Sequence, residues 1–211
     1  MSSRQDAERL LPDVSRETWE RLEALVALLG KWQRTINLVA PATLNEAWTR
    51  HVADSLQLVS LAPDARTWVD LGSGAGFPGL VVAAALPEAE VHLVESDQRK
   101  AAFLREGARA MGVKVKVHAD RAEKVLGAWS GPVDVVSARA LAPLEKLLFL
   151  AAPLLKAGTV GLFLKGRDAA EELTQASAKW NITARMVPSV TESRSSVIVV
   201  SAAHPREGAS V

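Results

Sequence analysis

Residues 70–79 read DLGSGAGFPG, and the spacing of their glycines frames everything around them. Gly72, Gly74 and Gly76 give G-x-G-x-G, while Gly74, Gly76 and Gly79 give G-x-G-x-x-G. Either pattern lets the backbone turn sharply and lets a ligand lie against it with no β-carbon in the way. TWVDL (67–71) precedes the turn as a short strand, and PGLVVAAAL (78–86) follows it as a helix. Strand, glycine turn and helix together open an α/β sheet whose ligands bind at the carboxyl ends of the strands.

The same rhythm continues outward. AEVHLVE (89–95), VKVKVH (113–118), VDVVSA (133–138) and TVGLFLK (159–165) read as four more strands. QRKAAFLREGARAM (98–111) and LAPLEKLLFLAAPLL (141–155) lie among them as helices, and HADRAEKV (118–125) enters another. Such alternation predicts a parallel sheet with right-handed crossovers. WNITARMV (180–187) and SSVIVVSAA (195–203) are separated only by PSVTESR, too short for a crossover helix. They form an antiparallel hairpin that closes the sheet. The expected fold is α/β: a doubly wound, mostly parallel seven-stranded sheet of the class I S-adenosylmethionine methyltransferase type, with an N-terminal helical extension.

Upstream, Trp19, Leu22, Val26, Leu29, Trp32 and Ile36 recur at helical spacing from Ser15. After Pro41, Thr43 and Glu46 stand in capping-box register ahead of a second helix carrying Trp48, Val52, Leu56 and Val59 inward. Trp19, Trp32 and Trp48 read as core rather than as base-stacking platforms. The first dozen residues and the final HPREGASV (204–211) read as frayed. We therefore expect residues 1–62 as an extension packed on a methyltransferase domain spanning 63–211.

Composition excludes several chemistries. The chain has no cysteine and no tyrosine, so disulfides, thiolate metal sites and cysteine nucleophiles are absent, and no metal site is expected. The N-terminus has no apolar core of a secretory signal, and no apolar run reaches the ~20 residues needed to span a bilayer. A cytoplasmic monomer without a membrane partner is expected. Net charge is +1, but residues 97–146 hold ten Lys/Arg against six Asp/Glu, a local basic excess toward a polyanion.

Charge separates the two candidate cofactors. A dinucleotide brings a pyrophosphate that wants bare N–H groups at a helix N-terminus. S-adenosylmethionine brings an ammonium, a carboxylate and a sulfonium. Asp70, directly before the turn, is expected to repel the first and attract the second. Glu95 closes the second strand, where a carboxylate takes ribose hydroxyls of either ligand. Asp120, Ala122 and Glu123 are placed to hold an adenine edge. The reductases that use a Tyr/Lys pair are ruled out by the absence of tyrosine. The methyl donor is favoured, and a dinucleotide reductase stays as a remote alternative.

DLGSGAGFPG, VESDQRKAAFL, DRAEKV, VDVVSARALAPL and FLKG, with INL (36–38) and RHVADSL (50–56), resemble in order and spacing the bacterial small-subunit (16S) ribosomal RNA guanine-N7 methyltransferases, or glucose-inhibited division protein B family. The likeness runs from about residue 19 to 173. It implies cofactor contacts at Gly72 and Phe77, at Ala122 and Glu123, and at Arg139. With Asp70, Ser73, Gly74, Gly76 and Glu95 these complete the expected cofactor set. Arg139 also stands as a positioning residue for the acceptor, and no general base is expected. Where many relatives read S-R-A, this chain has Ser137-Ala138-Arg139-Ala140.

The implied chemistry suits the missing residues. Methylation of an exocyclic amine commonly uses an Asn/Asp-Pro-Pro-Tyr/Phe segment after the fourth strand, where this chain reads SARALAP. Methylation at pyrimidine C5 needs a cysteine. Guanine N7 has an exposed lone pair, and alignment supplies most of the rate. Arg99, Lys100, Arg121, Lys124, Lys165 and Arg167 are candidate contacts to the phosphates of 16S ribosomal RNA or of the 30S subunit. His51 and Asp54, three residues apart, either face the cleft or serve packing. A small-molecule acceptor, or a non-catalytic RNA-binding module that keeps the pocket, are the other readings.

Overall fold

A computed structural model describes residues 2–206. Their strands are β1 (Thr67–Leu71), β2 (Glu90–Val94), β3 (Val115–His118), β4 (Val135–Arg139), β5 (Val160–Lys165), β6 (Trp180–Pro188) and β7 (Ser196–Pro205). They form one sheet in the order β3-β2-β1-β4-β5-β7-β6. The first five are parallel, and the β6–β7 hairpin joins β5 antiparallel. Strand order reverses between β1 and β4, which sets a ligand crevice at their carboxyl ends.

The N-terminus departs from expectation. Residues Arg4–Leu10 form a helix, α1, started by a reciprocal cap between Ser3 and Asp6. Ala7 is fully buried, and Arg4 pairs with Glu23 at 3.0 Å, which fastens α1 to α2 (Arg16–Trp32). The cap uses aspartate where a glutamate or glutamine is the usual third residue. The box expected at Thr43 and Glu46 does not form. Pro41–Glu46 is a 3₁₀ turn in which Thr43 Oγ1 donates to the Ala40 carbonyl. The helix behind it is interrupted: Ala47–Ala53 is wound as a π-helix, followed by one α turn, α3 (Asp54–Leu56), and a 3₁₀ turn at Val59–Leu61. The C-terminus is also more ordered than expected, since His204 and Pro205 pair with Asn181 and Trp180. Glu207–Val211 lie outside the described residues.

Alternation along the strands sorts the core into two layers. Trp68, Val91, Leu93, Val135, Leu162, Leu164 and Val197 face one side with α2, α4 (Gly79–Ala85) and α5 (Gln98–Met111). Val69, Leu71, Val136, Ala138, Phe163 and Ile198 face the other with α6 (Ala122–Gly127), α7 (Leu144–Lys156) and α8 (Ala169–Lys179). The last of these helices had no counterpart in the sequence reading. Leu22, Leu25 and Leu29 of α2 are fully buried against the first layer, each worth roughly 1.5–3 kcal/mol. Trp19 and Trp48 pack together at 6.3 Å, and Trp32 meets Phe103 edge-on at 5.7 Å, as core aromatics do.

Candidate active site

Gly72, Gly74 and Gly76 have φ of 66°, 53° and 82°. All three occupy the left-handed region open to glycine, so G-x-G-x-G is the register the turn uses. Gly79 instead begins α4, where a β-carbon would collide with Leu93 and Asp70.

Asp70 corrects an expectation. It is fully buried beneath the turn, with Oδ1 accepting from Ser137 Oγ (2.8 Å) and Oδ2 from the Gly79 N–H (3.2 Å). Both faces of β1 are covered, and on its own face Asp70 neighbours Trp68, whose indole N–H donates to the same Ser137 hydroxyl at 2.9 Å. Burial pushes its pKa up to about 6, against the hydrogen bonds that favour the anion. Asp70 therefore does not meet an ammonium. It occupies the first N–H of α4, so the place a pyrophosphate would take is filled from within. Ser73, Gly76 and Phe77 also lie below the turn. Ser73 Oγ donates to the Asp70 carbonyl, and Phe77 is buried under the His51 ring at 5.2 Å.

Above the turn, Glu95 is held by the chain itself. Its Oε2 accepts from the Gly74 N–H (2.9 Å) and its Oε1 from the Asp97 N–H (2.8 Å). Each oxygen keeps a second lone pair, which suits two vicinal ribose hydroxyls. Gly72, Gly74, Glu95, Ala122 and Glu123 line a cavity of about 270 Å³. These are five of the ten expected cofactor residues; Asp70, Ser73, Gly76, Phe77 and Arg139 do not line it. A β-carbon on Gly74 would meet only the Gly72 carbonyl oxygen, at 3.7 Å, so the bare backbone of the turn forms a cradle. The turn, the carboxylate and the Ala122–Glu123 corner fit S-adenosylmethionine. Ser96, Leu141 and Lys146 also line it and were not anticipated. Leu141 lies over Gly72, where a β-carbon would come within 2.6 Å of its Cδ1.

A larger cavity, about 640 Å³, adjoins the first along Ala140–Ala142. Its walls include Thr43, His51, Asp54, Arg139, Glu172 and Glu192. Arg139 points to the extension: its Nη1 donates to the Arg50 carbonyl (3.0 Å) and stands 3.8 Å from Asp54 Oδ2, while the guanidinium lies 5.3 Å from the Phe77 ring centre. It therefore lines the larger cavity and not the smaller one. Asp54 Oδ1 also accepts from Gln57, Ser189 and Thr191, which ties the extension to the β6–β7 turn. Burial raises its pKa against these partners and the Arg139 charge.

His51 belongs to the same wall, in the π-helix, a winding frequent at functional sites. Its Nε2 lies 2.9 Å from Thr43 Oγ1, whose own proton goes to Ala40. That fixes Nε2 as the donor and leaves Nδ1 a buried acceptor with no partner among the described residues. Burial, then the charges of Arg139 and Arg50, hold its pKa down at about 3, so the ring is neutral at physiological pH.

Ala140, at φ 52°, is the only non-glycine with positive φ among the described residues, and it sits where the two cavities join. Lys165 helps to hold that segment. Its Nζ donates to the Ala142 carbonyl (2.7 Å) and pairs with Glu172 (2.7 Å), whose Oε2 also accepts from the Leu144 N–H (2.6 Å).

Residues 18–198 match the GidB family, described as rRNA small subunit methyltransferase G. The chain is similar to the ribosomal RNA small subunit methyltransferase G of Methylobacterium sp. (strain 4-46), 53% identical over 202 residues covering 93% of this chain and 95% of that protein. The counterpart in Methylorubrum populi is 55% identical over 191 residues, 89% of this chain and 90% of that one. This chain belongs to the GidB family. In fold it resembles the O-methyltransferase of Bacillus cereus solved with SAH, at TM-score 0.60 and 15% identity over 93% and 96% of the two chains. The shared architecture is that of class I S-adenosylmethionine methyltransferases.

For a GidB protein acting on RNA, the six proposed phosphate contacts divide. Lys100 and Arg121 line the smaller cavity, so they are placed toward the cofactor. Arg99, Lys124 and Arg167 are exposed and pair with Asp97, Asp120 and Asp168 beside them. Lys165 is a correction: its side chain is 8% exposed and committed to Glu172 and Ala142. As the last residue of β5 it faces the α7–α8 layer and joins the wall of the larger cavity, with its charge already paired.

Proposed function

We propose that this protein transfers the methyl group of S-adenosylmethionine to N7 of a guanine in 16S ribosomal RNA, as free RNA or within the 30S subunit. The observation carrying this reading is a pair of adjoining cavities in a GidB-family chain. One has the backbone and carboxylate that suit the donor, and the other is wide enough for a flipped-out base. Bound S-adenosylmethionine supplies an electrophilic methyl on a cationic sulfur. Gly72, Gly74 and Glu95 orient its nucleoside, and Ala122 with Glu123 take the adenine. Asp70, Ser73, Gly76 and Phe77 act from below by fixing the turn. Arg139 holds the acceptor side.

The lone pair of guanine N7 forms the new bond as the methyl–sulfur bond breaks, so positive charge moves onto the purine. No proton has to leave first, and no general base is required. The neutral His51 adds no cationic repulsion to that charge, and Asp54 lies beside it. Preorganised alignment across Ala140–Ala142 accounts for the acceleration. Residues 1–62 serve as an extension that completes the acceptor wall on the methyltransferase domain, 63–211. No helix among the described residues is long and apolar enough to cross a membrane. The exposed large apolar side chains Leu10, Leu141, Phe149, Met186 and Val190 are spread over five segments, which supports a monomer. Action on ribosomal RNA places its work in the cytoplasm. Borohydride and aniline cleavage maps N7-methylguanosine. Ribosomal RNA from a strain lacking this protein is expected to lose one cleavage, and retention of every site would refute the proposal.

A further inference from the structure

The acceptor cavity has three acidic residues in its wall, and two are spent. Asp54 accepts from Gln57, Ser189 and Thr191 and faces Arg139. Glu172 accepts from Lys165 and the Leu144 N–H. The carboxylate of Glu192 has no hydrogen-bond or ion-pair partner among the described residues, yet its backbone is fixed. Ser189 and Thr191 bond to Asp54, the Val190 N–H donates to Gln57 Oε1 at 3.1 Å, and the Ser195 N–H donates to the Glu192 carbonyl at 2.9 Å. A rigid turn thus presents one uncommitted carboxylate to a cavity intended for RNA.

Near a polyanion a free carboxylate is costly, unless it meets a donor edge. Among the four RNA bases only guanine offers two adjacent donors on its Watson–Crick edge, N1–H and the N2 amine, matched to both oxygens of one carboxylate. Adenine presents one donor beside an acceptor, cytosine likewise, and uracil a donor between acceptors. N7 lies on the opposite side of the guanine from that edge. A base gripped at N1 and N2 from the β6–β7 turn can thus direct N7 toward Ala140–Ala142 and the donor cavity.

We propose that Glu192 is the specificity residue that reads the Watson–Crick edge of the target guanine. This rests on the guanine-N7 reading above. The test compares a model RNA bearing the target guanosine with the same RNA bearing inosine there, which keeps N7 and N1–H but lacks the N2 amine. The wild-type enzyme is expected to prefer guanosine by about 10–100-fold in kcat/KM, the range of one lost charge-assisted hydrogen bond. Glu192→Gln should lose about 10–100-fold on guanosine and bring the guanosine/inosine ratio close to one. Donor affinity by calorimetry should be unchanged, which also shows that the variant is folded. Glu192→Asp should keep part of the preference. If Glu192→Gln keeps the wild-type ratio, the assignment to Glu192 is wrong while the methyltransferase reading stands. If the wild-type enzyme methylates neither RNA at N7, both readings fall.

Discussion

The smaller cavity draws its main contacts from loops that directly follow β1, β2, β3 and β4, so its lining spans residues 72–150 in an unbroken succession of strand ends. The larger cavity combines residues 38–54 with the loop after β4, the end of β5 and the β6–β7 turn, segments up to 158 positions apart. One site is local and repeats the grammar of the α/β crossover. The other exists only when the two ends of the chain meet through Asp54 and Gln57. A mutation in the first should therefore change donor affinity alone, and one in the second should change acceptor turnover alone.

The largest separation is expected at Glu95. Glu95→Ala removes a ribose acceptor and strands the Gly74 and Asp97 N–H groups. Two charge-assisted bonds at ~1.5–3 kcal/mol each imply a donor affinity at least about 100-fold weaker by calorimetry. Arg139→Lys should act on the other side. Lysine cannot reproduce the planar fork that reaches the Arg50 carbonyl and covers Phe77. RNA turnover should fall about 10–100-fold with donor affinity within a factor of three. A matching loss of donor affinity would move Arg139 to the cofactor side and break the division.

Asp70 links the two by stability. Its folded pKa of about 6 exceeds the ordinary 3.8, so the folded state holds a proton that the unfolded chain has released between those values. Stability contributed by this group is complete below about pH 4 and is lost as pH rises through 6. Denaturant melts from pH 4 to 7 should show a fall of up to about 3 kcal/mol in wild type beyond that in Asp70→Asn. Identical profiles would mean that the carboxylate is already charged throughout. The smallest effect belongs to Ser3→Ala, which removes the α1 cap at about 1 kcal/mol. It should lower Tm by roughly 2–4 °C and leave donor binding untouched.

The same contrast governs what could be read from the letters. Glycine spacing, strand alternation and the closing hairpin are local signals, and the sheet order and donor cavity follow from them. Asp70 ends a strand that helices cover on both faces, so a position before the glycine turn does not by itself bring its carboxylate to the ligand. Lys165 likewise ends β5, but its charge is taken by Glu172, a partner on a helix with no counterpart in the predicted elements. The π-helix at Ala47–Ala53 left no signal, since its hydrophobic spacing over a few residues is indistinguishable from an α-helix. The Asp54 contacts to Ser189 and Thr191 span more than 130 residues and depend on tertiary packing alone. The α1 cap is legible in Ser3-x-x-Asp6, whereas the similar spacing at Thr43 and Glu46 forms no cap because Pro41–Glu46 winds as a 3₁₀ turn.

The clasp between Asp54 and the hairpin turn has a consequence for the chain as it is made. A ribosome delivers residues in order, and the N-terminal portion begins to fold first. Everything that lines the donor pocket has emerged before β5 is complete, but the opposite wall waits for Ser189–Ser196 to leave the exit tunnel. The residues that hold the reagent are thus made well before those that seat a nucleotide. Competence arrives last, with the closing hairpin.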